Sequence, residues 1–425
     1  MPDVHDTDVI APPGRPHVER RMRSRDDSAS AHVLVVDDNE MNRDLLARRL
    51  RREGHRVALA VDGRDALDKL AADPFDLVLL DIMMPGMDGH ELLRRLKADE
   101  LLRDIPVILI SALNDTDNMV QGLSQGADDY LSKPFNPHIL RARVNASLAR
   151  KRLHDYEQRY ARSLEREMDI ARDIQASFLP DHLPVVAGWD MAACFLPARR
   201  VAGDFYDAFA LHEGRRIGVV VADVCDKGVG AALFMALFRS LIRAFAERMR
   251  FLDDDAAEQV RQLVDHLNGY IARTHGRANM FATLFFAILD PASSALIYIN
   301  GGHEPPVISG QDGVRTRLDP TGPAVGMLPG MQFRVARQSI EPGETLLIYT
   351  DGVTDARSAE AVPFTEQRLL ALLAPALESA AATIERIQTA VSQHTDAATQ
   401  FDDITVLAVH RSRAPADGGS LPDRA

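Results

Sequence analysis

Five short apolar runs, Val33-Leu-Val-Val36, Arg56-Val-Ala-Leu-Ala60, Leu77-Val-Leu-Leu80, Pro106-Val-Ile-Leu-Ile110 and Asp129-Tyr-Leu131, alternate with helical patterns such as Met41 to Arg52 and Glu91 to Lys97. The runs are apolar at consecutive positions, not at every second one, so each strand must be covered on both faces. Crossover helices between parallel strands supply that cover, and residues 31–150 are therefore expected to form an α/β domain with a doubly wound parallel sheet. In such sheets the working residues stand at the carboxyl ends of the strands.

Those ends carry a chemically complete set. The first strand exits into Asp37-Asp38, the third into Asp81, the fourth into Ser111-Ala112 and the fifth into Ser132-Lys133-Pro134-Phe135. Carboxylates suit Mg²⁺, a carboxylate can accept a phosphoryl group, and a hydroxyl with an ammonium can hold it. The arrangement resembles the receiver domain of bacterial response regulators. That resemblance implies a flavodoxin-like sheet, Asp81 as phosphoacceptor and Mg²⁺ held by Asp37, Asp38, Asp81 and the carbonyl of Met83. It further implies Ser111 and Lys133 on the phosphate, Tyr130 as the aromatic that changes rotamer, and a sensor histidine kinase as partner.

The chain carries 62 Asp and Glu against 49 Lys and Arg, a net charge of −13. That balance speaks against nucleic acid or an anionic membrane surface as the main partner, and no basic recognition helix is evident. Cys194 and Cys225 are the only cysteines, too few for a disulfide framework; each reads as a small buried apolar residue in a reducing compartment. No apolar run approaches the roughly 18 to 20 residues that span a bilayer, and the expectation is a cytoplasmic protein. Residues 1–30, with Pro12, Pro13, Pro16 and an Arg-rich run, read as a disordered leader, and 412–425 as a loose tail.

From Pro137 to Phe178 a helical pattern runs unbroken. Leu148, Leu153, Tyr156, Tyr160, Leu164, Met168, Ala171, Ile174 and Phe178 recur every three to five residues among charged ones. A helix of about 40 residues, near 60 Å long, cannot bury such a stripe on one small domain, so a helical linker (137–178) forming a parallel coiled coil in a homodimer is expected. The alternative is a single helix packed along the next domain.

The second domain, 176–411, contains Gly218-Val-Val-Val-Ala-Asp223-Val-Cys-Asp-Lys-Gly228, a buried strand that delivers a carboxylate into a Gly-containing turn. Val201-Ala-Gly-Asp204-Phe-Tyr-Asp207 precedes it at hairpin distance, so antiparallel pairing would bring Asp204 and Asp223 together. Two buried carboxylates repel, and a divalent ion between them removes the conflict. Further acidic stations follow at Thr350-Asp351-Gly-Val-Thr-Asp355 and Asp402-Asp403-Ile-Thr405. Runs of strands with helices in pairs predict an α/β sandwich of antiparallel sheets flanked by helix pairs.

The segments Ala171 to Pro180, Gly203 to Asp207, Asn300-Gly-Gly-His-Glu-Pro-Pro306, Tyr349 to Ala356 and Phe401 to Val406 resemble the SpoIIE-like branch of the metal-dependent Ser/Thr protein phosphatases, the PPM family. The resemblance implies that Asp204 and Asp223 bridge two Mn²⁺ or Mg²⁺ ions, that the Val224 carbonyl is a further ligand, and that Asp351 and Asp402 complete the second ion, with Asp403 competing for the last role. It implies hydrolysis of phosphoserine or phosphothreonine on a protein substrate, in relatives often an anti-sigma-factor antagonist. Arg200, Ala202 and Asp226 depart from the family pattern. The rival reading is a non-catalytic adaptor whose phosphorylation gates binding of a sigma or anti-sigma partner. Gly301-Gly302-His303 reads as a turn, Met235 as core, and Arg200 as one half of a surface ion pair.

Overall fold

A computed structural model describes residues 30–413, apart from 113–115, 135, 250, 252–254, 375–376 and 397. The expected leader, Phe135 and all of the tail beyond residue 413 lie outside the described residues. The chain divides into two compact units, with the boundary after Arg162.

In the first unit β1 (His32–Val36), α1 (Glu40–Arg52), β2 (Arg56–Ala60), α2 (Gly63–Ala72), β3 (Leu77–Asp81), α3 (Gly89–Ala98), β4 (Val107–Ala112), α4 (Thr116–Ser124) and β5 (Asp129–Lys133) alternate, followed by α5 (Pro137–Ala176). The sheet is parallel in the order β2-β1-β3-β4-β5. Period-two geometry sends Leu34, Val36, Val78 and Leu80 to a core shared with Leu92, Leu93 and Leu96. It sends Val33, Val35, Leu77 and Leu79 to another, shared with Leu46, Leu50, Leu140 and Val144. Both faces are dry, which is why the strands read as continuous apolar runs. Asn39, Asp62 and Asp88 cap the helices that follow β1, β2 and β3, each accepting backbone N–H bonds.

α5 is one continuous helix of 40 residues. Its Leu140, Val144 and Leu148 are buried, but Leu153, Tyr156, Tyr160, Leu164, Ile170 and Ile174 are 46–63% exposed.

The second unit contains β6 (Trp189–Leu196), β7 (Phe205–Leu211), β8 (Arg216–Val224), α6 (Val229–Arg248), α7 (Ala256–His275), β9 (Ala282–Leu289), β10 (Ala295–Gly301), β11 (Val307–Gly310) and β12 (Gly313–Arg317). It continues with β13 (Ala336–Ser339), β14 (Thr345–Tyr349), α8 (Asp351–Thr354), α9 (Glu366–Ala371), α10 (Ala380–Thr395) and β15 (Ile404–Arg411). Two antiparallel sheets, β13-β10-β9-β8-β7 and β12-β11-β14-β15-β6, pack face to face. Val219, Val221, Phe285 and Ala287 of one meet Ile308, Leu346, Ile348, Leu407 and Val409 of the other. Met235 and Phe238 of α6 with Val260 and Leu263 of α7 cover the outer face of the first sheet; α9 and α10 cover the second through Leu369, Ile384, Ile387 and Val391. This is the α/β sandwich expected.

Three details differ from the sequence reading. β12 was not expected: it is a short edge strand whose side chains alternate between half-buried and exposed, so it carries no apolar run. The sequence from Gln332 to Gln338 reads as a strand, but only Ala336–Ser339 pairs, because Phe333 turns into the core beside Gly322. α6 is long and apolar enough, by length and composition, to cross a membrane. Its Arg239 and Arg243 interrupt that surface and pair with buried Asp207 of β7, at 3.0 and 2.7 Å, while Ala231, Met235, Phe238 and Ile242 lie in the core.

Candidate functional site

Parallel pairing of β1, β3 and β4 aligns the strand exits, and the acids predicted there meet. Asp37, Asp38 and Asp81 each bring a carboxylate oxygen within 4.8 Å of the others. Lys133, at the end of β5, donates to Asp37 Oδ2 at 2.9 Å and Asp81 Oδ2 at 2.8 Å. Burial raises the Asp81 carboxyl above its ordinary value, with the Lys133 hydrogen bond opposing and Asp37 and Asp38 adding to the rise. Burial alone would lower Lys133, but its bonds to Asp81 and Asp37 outweigh that and hold it charged. Ser111 Oγ is buried with no hydrogen-bond partner among the described residues, as a hydroxyl kept for an absent ligand would be. Three oxygen donors, an ammonium and a spare hydroxyl fit Mg²⁺ and a phosphoryl group. Met83 lies in the loop after β3 with its side chain exposed. Tyr130, half-buried on β5, carries the Arg143 guanidinium 5.0 Å from its ring centroid, and Arg143 in turn pairs with Asp129.

In the second unit the hairpin reading holds. Phe205 pairs with Ala222, so Asp204 and Asp223 stand opposite each other at the next rung, and their side chains interact directly. β14 and β15 of the other sheet run side by side and deliver Asp351, the first residue of α8, and Asp402 just before β15. Thr350 Oγ1 and Thr405 Oγ1 both donate to Asp204 Oδ2 at 2.7 Å. The strands that carry the later acids thus fix the first one. The backbones meet closely: a Cβ at Gly203 would lie 2.8 Å from the Val224 carbonyl oxygen, and one at Gly352 would overlap the Asp403 carbonyl oxygen. Only glycine fits at either place.

The adjacent acids Asp402 and Asp403 are treated differently. Asp403 is buried, and its two oxygens accept the Ala198 N–H at 2.7 Å and the Gly203 N–H at 2.9 Å. It ties down the loop that presents Asp204. Asp402 accepts the Asp403 N–H through Oδ1 at 2.9 Å and pairs with Lys227 Nζ through Oδ2 at 2.8 Å.

Charge is crowded here. Burial, then Asp223, pushes Asp204 well above the usual carboxylate range against the pull of Thr405 and Thr350. Burial, then Asp351, pushes Asp223 up to about 7, its bond to Asp204 opposing and Asp402 and Asp403 adding. Burial and Asp402 raise Asp351. Hard cations are the natural relief for such a set, because the donors are all oxygens. Among the described residues only the receiver triad brings three carboxylates within 4.8 Å of one another. The Val224 carbonyl faces Gly203 at the same end of β8.

Burial drives His303 down to about 3; it is neutral, bonded to Thr283 Oγ1 at 2.9 Å, beside a turn with Gly302 at φ +69°. Arg200 pairs with Asp169 of α5, as the ion-pair reading held. Cys194 is buried, but Cys225, in the turn after β8, is only half-buried, a correction to the sequence reading. Asp226 has φ +74°, in the left-handed region that glycine adopts without strain. Sequence reasoning missed Thr350, Thr405 and Lys227. Their only signal was adjacency to the acidic stations.

Residues 33–145 match the family described as response regulator receiver domain, and residues 213–412 match Stage II sporulation protein E (SpoIIE). The fold and sites therefore define a receiver domain joined through a long helix to a SpoIIE-type domain of the PPM phosphatase family. Protein IcfG of Synechocystis sp. is 44% identical over 264 residues, 58% of this chain and 42% of IcfG. Response regulator PleD of Caulobacter vibrioides is 46% identical over 141 residues, 33% of this chain and 31% of PleD. The chain thus spans less than half the length of either relative. The SiaA PP2C domain of Pseudomonas aeruginosa shares the fold of the second unit: TM-score 0.50, 18% identity, covering 59% of this chain and 98% of that domain.

Proposed function

We propose that the chain is a response regulator whose output is a metal-dependent phosphoserine/phosphothreonine protein phosphatase. The observation that carries this reading is the meeting of Asp204 and Asp223 from one sheet with Asp351 and Asp402 from the other. Asp204, Asp223, the Val224 carbonyl, Asp351 and Asp402 would hold two Mn²⁺ or Mg²⁺ ions, with Asp403 as the loop anchor. Ions so held acidify bound water and clamp a phosphate. The chain's own part is to fix the carboxylates before substrate arrives, through Thr350, Thr405 and the close contacts at Gly203 and Gly352. Turnover of a phosphoserine peptide by the full-length protein with Mn²⁺, absent after chelation, tests it. A protein inert over a range of metals and pH would favour the adaptor instead.

In this reading a sensor histidine kinase donates to Asp81 with Mg²⁺ bound at Asp37, Asp38, Asp81 and Met83, and the substrate is an anti-sigma-factor antagonist, as the family resemblance implies. α5 is the coupling element. Its last turn places Gln175 so that Oε1 accepts the Ala202 N–H at 2.9 Å and Nε2 donates to the Ala202 carbonyl at 2.6 Å. Those bonds hold the chain two residues before Asp204. The exposed apolar residues of α5 support pairing with a second copy as a coiled coil. Beryllofluoride with Mg²⁺, a mimic of the acyl phosphate, is expected to change turnover by several-fold in the wild type and not at all in Asp81→Asn. Equal rates with and without the mimic in the wild type would contradict the coupling.

A further inference from the structure

Lys227 is a basic side chain held among the acids of the second unit's site. It stands in the turn between β8 and α6, its backbone set by positive φ at Asp226 and Gly228 and by an N–H bond to Asp226 Oδ1 at 2.8 Å. Its Nζ lies 2.8 Å from Asp402 Oδ2, 2.9 Å from the Phe401 carbonyl and 4.6 Å from the Phe401 ring centroid. The other cation on that ring is Arg357, 4.8 Å from the same centroid. The Lys227 charge also offsets part of the rise at Asp351. The ammonium therefore acts on both acids assigned to the second ion, and it is paired directly with Asp402.

A dication at that carboxylate repels the ammonium and draws off the charge it pairs with, so ion entry favours release of Lys227. The displaced group stays tethered by a four-carbon stem, 31% exposed, beside the place where a dianionic phosphoryl group would sit, and lysine is a strong point-charge binder of phosphate. We propose that Lys227 is a two-state positioning residue: it holds Asp402 while the second ion is absent, and turns to the phosphoryl oxygens of the phosphoprotein once an ion takes that carboxylate. This rests on the metal-phosphatase reading.

The two states predict opposite effects from one substitution. Calorimetric titration of the full-length protein with Mn²⁺ is expected to show tighter binding in Lys227→Met by about fivefold, the upper range for a partly exposed ion pair removed. Titration of the Mn²⁺-saturated protein with inorganic phosphate is expected to show binding about tenfold weaker, the loss of one charge-assisted contact. Lys227→Arg should stay near wild type in both, and Lys227→Gln, which keeps a polar head, serves should the Met variant fail to fold by circular dichroism. A folded charge-removing variant with both affinities unchanged, or with both weakened, overturns the role given to Lys227 while leaving the phosphatase reading intact. Wild-type protein that binds no more Mn²⁺ than Asp223→Asn overturns that reading, and this inference with it.

Discussion

Asp223→Asn is expected to lose at least about a thousandfold in Mn²⁺-dependent phosphatase turnover, because on the proposed reading it removes an acid that would hold the ions and with it several kcal/mol of charge stabilisation in the transition state. The same substitution should stabilise the metal-free protein at neutral pH. Burial and Asp351 push Asp223 up to about 7, against an unfolded carboxyl near 3.8. The folded state therefore binds more protons than the unfolded one between those values, and stability falls as pH rises through that window. Metal-free wild type should thus melt lower at pH 8 than at pH 5. The Asn variant, isosteric and uncharged, should lose much of that slope and gain on the order of a few kcal/mol at pH 8. Differential scanning calorimetry with and without Mn²⁺ separates the effects: Mn²⁺ should raise the wild-type melting temperature and leave the variant's nearly unchanged. An Asn variant that is both less stable without metal and still responsive to Mn²⁺ would mean that Asp223 is an ordinary structural acid.

Gly352→Ala is the second large effect. Gly352 is the second residue of α8, and a methyl group there would overlap the Asp403 carbonyl oxygen and touch Ile404 Cγ1 at 3.4 Å. Backbone cannot swing aside as a side chain would, so α8 and the start of β15 must separate. Overpacking of this kind costs about 3 kcal/mol, which for a domain of this size lowers the melting temperature by about 6 to 12 °C. Asp351 and Asp402 flank the contact, and a shift near 1 Å in either is expected to cost about a hundredfold in turnover. Gly230→Ala is the control. Gly230 lies in the first turn of α6 with nothing near its would-be Cβ, so its replacement should leave melting unchanged or raise it slightly.

The receiver half was readable from sequence because its chemistry sits at strand ends and its strands, buried on both faces, announce themselves as apolar runs. The hairpin that aligns Asp204 with Asp223 was readable for a similar reason: its connection is short, so sequence proximity and spatial proximity coincide. The choice between Asp402 and Asp403 was not. The two share a side chain and differ only in that the Ala198 and Gly203 N–H groups, about two hundred residues earlier in the chain, claim both Asp403 oxygens. Thr350 and Thr405 escaped for the same reason, since their bonds to Asp204 cross from one sheet to the other. Asp207 was read with the acidic station after Gly203, yet alternation along β7 turns it away toward Arg239 and Arg243 of α6. The sequence reading found no run long and apolar enough to span a bilayer, yet α6 passes that test by length and composition, because a helix covering a sheet and a membrane span satisfy the same arithmetic.

The central claim is that acids from both sheets hold a pair of ions, and diffraction from Mn²⁺-soaked crystals at the manganese absorption edge tests it most directly. Two anomalous peaks are predicted in the second unit, ligated by Asp204, Asp223, Asp351, Asp402 and the Val224 carbonyl, with Asp403 still bonded to the Ala198 and Gly203 amides. No peak between these acids at saturating Mn²⁺, or a peak ligated by Asp403 with Asp402 left on Lys227, would contradict it.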